Sequence, residues 1–201
     1  MKLGLFGGSF DPIHCGHILP VRQAQSELGL DRVIYLPTAR PPHKPGRQFA
    51  PSHSRYAMVE LALLDEEGLE ASSFELTPAE PAYTIDTVEH FAEPGVDLHL
   101  LIGTDSLAEL TEWKRWQDIV ETAKLVVLAR PDFEPSRVVA EMPAELASLT
   151  GNGERLHIVR NEPIGVSSTK LREILGRGEV PPKGSVPELV LKYLLKYSIY
   201  R

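Results

Sequence analysis

With 201 residues, 42% of them hydrophobic, the chain can bury one sizeable core, and no Gly/Ser-rich or charge-rich linker divides it, so a single domain over 1–201 is expected. The formal net charge of −7, from 28 acidic against 21 basic residues, has the wrong sign for a protein that mainly grips a nucleic-acid backbone, although a local pocket can still take small phosphates. The lone Cys15 excludes an internal disulfide and a cysteine-rich zinc site; Met1–Phe6 is too short for a signal peptide, and no apolar run approaches the ~20 residues that span a bilayer, so a cytoplasmic location is expected.

Leu3–Phe6 reads as a buried strand, short, apolar and closed by Gly7-Gly8. Ile18, Val21, Ala24 and Leu28 then repeat at helical spacing, and Arg32–Leu36 is the next strand. Met58, Leu61, Ala62 and Leu64 mark a second helix, and Ser73–Leu76 is a weaker strand candidate. Asp86, with Glu89 three residues on, predicts a capped helix through Phe91. Strand Leu98–Ile102, helix Ser106–Val120 and strand Leu125–Ala129 follow. Helix Ser136–Leu149 comes next, broken or kinked at Pro143, then strand Leu156–Val159 and helices Ser168–Leu175 and Val186–Lys196. Alternating strands and helices predict an α/β fold, a doubly wound parallel sheet with helices on both faces, whose ligands sit at the carboxyl ends of the strands.

The unusual residues fall at those ends. The first strand runs into Gly7-Gly8-Ser9-Phe10-Asp11-Pro12-Ile13-His14-Cys15-Gly16-His17 and then a helix. Glycines admit a ligand close to the backbone, and a helix start offers unpaired N–H groups to an anion. His14 and His17, three apart, can face one point and donate to phosphate oxygens. The plainer reading is a strand-to-helix turn with two surface histidines; a metal reading would use His14, Cys15 and His17 but lacks a second ligand cluster. No Walker-type G-x-x-x-x-G-K-[ST], no G-x-G-x-x-G after the first strand and no G-x-S-x-G is present. After the last strand, Ile164-Gly165-Val166-Ser167-Ser168-Thr169-Lys170-Leu171-Arg172 opens a helix. One hydroxyl suffices for a cap, so three hydroxyls and Arg172 suggest a triphosphate clamp.

Gly7–His17 resembles the H-x-G-H region of the adenylyltransferases related to class I aminoacyl-tRNA synthetases, and Ser167–Arg172 resembles their second signature, S-[ST]-T-x-[IL]-R. Further segments are similar to the bacterial nicotinate-nucleotide adenylyltransferases: Leu36-Pro37-Thr38 to Pro41-Pro42-His43-Lys44, Tyr83–Thr87, Gly103-Thr104-Asp105 with Trp113 and Trp116, and Leu128–Pro131. Cys15 departs from the larger residue usual in that family, and Asp132–Gly153 matches nothing in it.

The resemblance implies a Rossmann-like sheet of the nucleotidyltransferase type and transfer of AMP from ATP to nicotinate mononucleotide, with nicotinamide mononucleotide or phosphopantetheine as the alternative acceptors. It implies His14, His17, Lys44 and Arg172 as catalytic, with His17 on the α-phosphate. Gly7, Gly8, Ser9, Phe10, His17, Gly103, Asp105, Ile164, Ser167, Ser168, Thr169 and Arg172 would bind ATP. Thr38, His43, Lys44, Tyr83, Thr84, Trp113, Lys114 and Arg130 would bind the acceptor. Asp105 would meet the adenosine ribose or cap the helix after it, Trp113 would stack on the pyridine ring, and Mg²⁺ would arrive with ATP on phosphate oxygens and water. No protein-held metal, nucleic-acid partner or membrane is expected, and homo-oligomerisation is left open. Readings of a different class are a nucleotide sensor without turnover and a zinc-dependent binding module at His14 and His17.

Overall fold

The apolar runs become strands because their side chains are shielded on alternate and successive positions alike. In the computed structural model, which describes residues 1–39, 49–76, 83–129, 144–149, 155–162 and 164–201, the strands are β1 (Lys2–Gly8), β2 (Arg32–Pro37), β3 (Leu69–Ala71), β4 (Asp97–Gly103), β5 (Lys124–Ala129) and β6 (Leu156–Arg160). Five consecutive residues of β4, Leu98 to Ile102, are buried, as they must be when both faces of a sheet are covered. The described helices are α1 (Cys15–Leu28), α2 (Ser52–Leu63), α3 (Thr84–Phe91), α4 (Thr104–Ala108), α5 (Trp116–Thr122), α6 (Ala144–Leu149), α7 (Ser168–Gly176) and α8 (Glu188–Lys196). None of them is long and apolar enough to cross a membrane.

The strands form one sheet in the order β3-β2-β1-β4-β5-β6, a doubly wound parallel arrangement whose order reverses between β1 and β4. Leu5 pairs with Leu100, Leu101 with Val126 and Val127 with Ile158, each in a parallel ladder, so these strands end at the same edge. Ligands of such sheets lodge at that edge, at the reversal point. Gly7 and Gly103 stand there, near the ends of β1 and β4.

Two compact units divide the chain: Met1–Gly7 with Pro20–Ile34 and Tyr83–Pro163, and Gly8–Leu19 with Tyr35–Ala82 and Ile164–Arg201. The first has Leu5, Val33, Leu101, Ile119, Val126 and Val127 in its core. A Cβ on Gly4 would lie 2.9 Å from Val33 Cγ2, so glycine is what lets β1 and β2 pack there. The second unit is built on Phe10, Ile13, Tyr35, Met58, Val190 and Leu194, all buried.

Three local expectations are corrected. The strand near residue 73 is Leu69–Ala71; Phe74–Leu76 is a single 3₁₀ turn, because Ser72 Oγ accepts from Phe74 N at 3.2 Å and Leu76 N reaches Ser73 O at 2.9 Å. Helix α3 starts at Thr84 with Tyr83 at its N-cap and no side-chain cap, so Asp86 lies inside the first turn, where its charge still complements the helix dipole. The helix expected over Ser106–Val120 is α4, a 3₁₀ turn at Leu110–Glu112 and α5. Trp113 is extended and Arg115 left-handed at φ 54°, which ends one helical piece and starts the next. The apolar spacing misled because Leu107, Leu110, Trp116, Ile119 and Val120 are all buried, although the pieces that carry them are separate. Residues 136–143, Pro143 among them, lie outside the described residues.

Candidate active site

In the second unit, β1 ends and the chain turns through Ser9–Ile13 into α1. Phe10, at φ 44°, is buried and packs edge-on to the His17 ring at 5.3 Å. The rings of His14 and His17 stack with centroids 3.8 Å apart. A Cβ at position 16 would stand 2.9 Å from His14 Cε1 and Nδ1, so the glycine between the two histidines is required by the ring beside it. Burial holds the His14 imidazole down to a pKa of about 4, and it is neutral at pH 7. His14 N donates to His17 Nδ1 at 3.2 Å. An accepting Nδ1 carries no proton, so a neutral His17 presents Nε2–H as its donor. Tyr35 Oη holds the same residue from the backbone side, donating to His17 O at 3.1 Å.

Helix α7 is stapled to this turn. Ser167 is its N-cap and accepts from Lys170 N at 3.3 Å. Ser168 Oγ donates to Pro12 O at 3.1 Å, and Thr169 Oγ1 accepts from Arg172 Nη2 at 3.2 Å. All three hydroxyls therefore have internal partners. Ser167 and Thr169, which accept, keep O–H donors, whereas Ser168 has committed its own. Arg172 Nη1 donates to Asp11 O at 2.6 Å and stands 3.6 Å from Asp11 Oδ2, with side-chain exposure of 20%. Two of its five N–H donors are used in this way. Ile164 is half-buried, and its carbonyl accepts from Val166 N at 2.7 Å.

Asp11, Tyr200 and Arg55, to which the motif reading gave no role, organise this end. Asp11, 1% exposed, accepts at Oδ1 from Ala50 N at 3.0 Å and from Tyr200 Oη at 2.7 Å. Arg55, also 1% exposed, donates to Ala50 O, Ser9 O and Ala39 O at 3.0, 2.7 and 3.1 Å. It thus pins both flanks of the 40–48 segment, which carries His43 and Lys44, to the turn after β1. Thr38 is fixed beside it, N donating to Gly8 O at 3.0 Å and Oγ1 to the buried Glu75 Oε2 at 2.8 Å. His43 and Lys44 themselves, like Arg130, lie outside the described residues.

In the first unit, Gly103 is the N-cap of α4 and Thr104 its first residue, so Asp105 is within the first turn and does not cap a helix at Ser106. Tyr83 and Thr84 form the start of α3, where Tyr83 O accepts from Asp86 N at 3.0 Å. The first N–H groups of a helix have no carbonyl four residues back, and the helix dipole adds positive potential there. Lys114 Nζ lies 4.0 Å from the centroid of the Tyr83 ring, a cation over an aromatic face. Trp113 is half-buried, unlike Trp116, which is 7% exposed and belongs to the core. The same unit has a cleft of about 340 Å³ at the amino ends of its strands, lined by Lys2, Leu28, Asp97, His99, Lys124 and His157.

The donors and cations gathered by the second unit could hold a polyphosphate and steady charge on it; no nucleophilic side chain with a base beside it is needed for that. Burial raises the Cys15 thiol, which keeps it protonated, and among the described residues no group of three or more His, Cys, Asp or Glu side chains is placed to hold a metal.

A cytidylyltransferase-like family model matches residues 5–174. The chain is 37% identical over 203 residues to a Solibacter usitatus protein named "Probable nicotinate-nucleotide adenylyltransferase", with 100% of each chain covered. It is 38% identical over 210 residues to a Pseudomonas aeruginosa protein of the same name, covering 100% of this chain and 97% of the relative. Among solved structures, Plasmodium falciparum nicotinic acid mononucleotide adenylyltransferase complexed with NaAD matches with a TM-score of 0.76 at 17% identity, over 99% of this chain and 97% of that one. That likeness, at its low identity, is a likeness of fold.

Proposed function

Because the chain belongs to the cytidylyltransferase-like family and, within it, to the nicotinate-nucleotide adenylyltransferases, we propose that it transfers AMP from ATP to nicotinate mononucleotide, giving nicotinate adenine dinucleotide and pyrophosphate. The observation that carries this reading is the His14–Gly16–His17 turn, where a glycine without room for a Cβ seats one imidazole and the bond from His14 N to Nδ1 leaves Nε2 as the donor nitrogen of a neutral second imidazole. An oxygen of the acceptor's 5′-phosphate attacks the α-phosphorus of ATP. The new P–O bond forms as the bond to the β-phosphate oxygen breaks, and pyrophosphate leaves with that electron pair. A phosphate monoester has its second pKa near ~6, so the attacking oxygen is already ionised at neutral pH and no general base is required. What remains is positioning and charge stabilisation.

His17 donates to the α-phosphate oxygen on which charge develops, with neutral His14 beside it. Arg172, the Ser167 hydroxyl and the N–H groups that open α7 take the β- and γ-phosphates. Gly7, Gly8, Ser9, Phe10 and Ile164 shape the backbone around ATP, and Gly103 and Asp105 take its nucleoside part. Lys44 and Arg130 supply positive charge to the acceptor phosphate, with Thr38 and His43 nearby in sequence. Tyr83, Thr84 and Lys114 read the ring substituent, and Trp113 stacks on the ring. Mg²⁺ accompanies ATP. Among the described residues the donor set at the phosphate end is imidazole, hydroxyl and guanidinium, and the Asp11 carboxylate is already bonded to Ala50 and Tyr200, which fits a cation carried by phosphate oxygens and water. When bound, the cation offsets phosphate charge.

The test is pyrophosphate release from ATP with nicotinate mononucleotide, nicotinamide mononucleotide and phosphopantetheine compared at equal concentration, with and without chelator. Release with the first acceptor, lost on chelation, is expected. Release of free phosphate instead, or none with any acceptor, would rule the reaction out.

A further inference from the structure

The last turn of the chain is bent where bending is costly. After α8, Ser198 and Tyr200 both have positive φ, 50° and 77°, in the left-handed region that residues with a Cβ enter only when their surroundings hold them there. The bend brings the Tyr200 hydroxyl 2.7 Å from Asp11 Oδ1. Burial and the Asp11 carboxylate push the Tyr200 phenol well above its ordinary range, so it stays a donor at any working pH. Asp11 is 1% exposed and faces Arg172 twice, through its carbonyl at 2.6 Å and its Oδ2 at 3.6 Å.

We propose that Tyr200, acting through Asp11, is a positioning residue for Arg172 and therefore for the polyphosphate that Arg172 meets. The carboxylate has two acceptor oxygens, and the hydroxyl and Ala50 N both occupy Oδ1, which leaves Oδ2 turned to the guanidinium. Without the hydroxyl, Ala50 N alone holds Oδ1, so the carboxylate can tilt about that one bond and draw Arg172 out of the orientation set by its bonds to Asp11 O and Thr169 Oγ1. The role rests on the reading of Arg172 as a ligand of the ATP tail.

The experiment replaces Tyr200 by Phe, which keeps the ring and removes only the hydroxyl. Calorimetric Kd for ATP is measured beside KM and kcat for both substrates. One hydrogen bond to a charged group implies a loss of about tenfold in ATP affinity, with kcat and the acceptor KM changed less than about twofold. In an Arg172→Ala background the same substitution should add less than about twofold, since the residue it positions is gone. Asp11→Asn, which keeps the shape but not the charge beside Arg172, should reproduce the loss and serves if Tyr200→Phe does not fold. Unchanged ATP affinity, a parallel loss for both substrates, or a full effect without Arg172 would overturn the role. If the wild-type chain binds ATP but transfers nothing, the function reading falls while the Kd values still decide Tyr200; if it binds no ATP, both fall.

Discussion

In the second unit the side chains around the proposed phosphate end are held by side-chain hydrogen bonds from several elements: Arg172 to Asp11, Ser168 to Pro12, Arg55 to three carbonyls, Tyr200 to Asp11. In the first unit the residues assigned to the pyridine ring are a helix start at Tyr83 and Thr84, an exposed lysine over an aromatic face, and a half-buried tryptophan in extended backbone. Stabilising a developing charge needs donors that are already in place, because reorganising them during the step would forfeit the gain. Recognising a flat ring needs mainly a face and a few N–H groups, which the backbone supplies. The two regions should therefore fail differently.

The sharpest way to break the contrast is His17→Ala. Loss of one preorganised donor to a transition-state oxyanion should lower kcat about 10²–10³-fold while ATP affinity changes little. A folded variant with near wild-type kcat would reduce His17 to a surface residue and the phosphate end to an ordinary turn.

Next in size is acid sensitivity. The unfolded His14 imidazole takes up a proton near its ordinary value of 6.5, the folded one only near about 4. Between those values the unfolded state binds more protons, so stability is full above pH 6.5 and is lost as pH falls, approaching about 3 kcal/mol from this residue. Burial lowers His99 too, with the same sign. Urea unfolding at pH 7 and pH 4.5 should show the loss, and His14→Gln should shrink it. An unchanged pH slope in that variant would mean that the buried ring is not what acid attacks.

At the ring end the effects are smaller. Nicotinate mononucleotide should exceed its amide in kcat/KM by about tenfold to a hundredfold, since an amide turns its own NH₂ toward N–H donors and leaves one unpaired. Equal values would remove Tyr83, Thr84 and Lys114 from substrate reading. Smallest of all, Trp113→Ala should weaken both acceptors about three- to tenfold, the scale of one aromatic contact, and leave their ratio nearly unchanged. A ratio that collapses with the tryptophan would show that the indole, and not the backbone, discriminates.

What the sequence disclosed follows the same divide. His14, His17 and the Ser167–Arg172 run could be singled out because they form short spacings at strand ends, and the structure places both runs in the second unit. Five of the six strand positions were legible from unbroken apolar runs; the short strand at Leu69–Ala71 and the helix over 106–120 were not, the latter because the left-handed Arg115 has no signature in composition. The purpose of Gly16 could not be read without the ring that presses on it. Arg55 and Tyr200 were illegible for another reason: their partners Ser9 and Asp11 are 46 and 189 residues away, and an arginine on a helix reads as solvated until its carbonyls are known. Ser168 showed the converse, a hydroxyl that matched a motif and proved to be bonded to Pro12.

Those separations bear on how the molecule comes into being. The contacts of Ser168, Arg172 and Tyr200 with the first turn span 156, 161 and 189 residues. Each doubling of a closed loop costs about 0.6 kcal/mol more in chain entropy, so such contacts form late and on the back of others. On a ribosome, the histidine turn would emerge and wait, without its arginine or its tyrosine, until the residues that carry them had followed. A nascent chain stalled before α7 should accordingly be unable to grip ATP, and competence should arrive with the final helices rather than grow in steps.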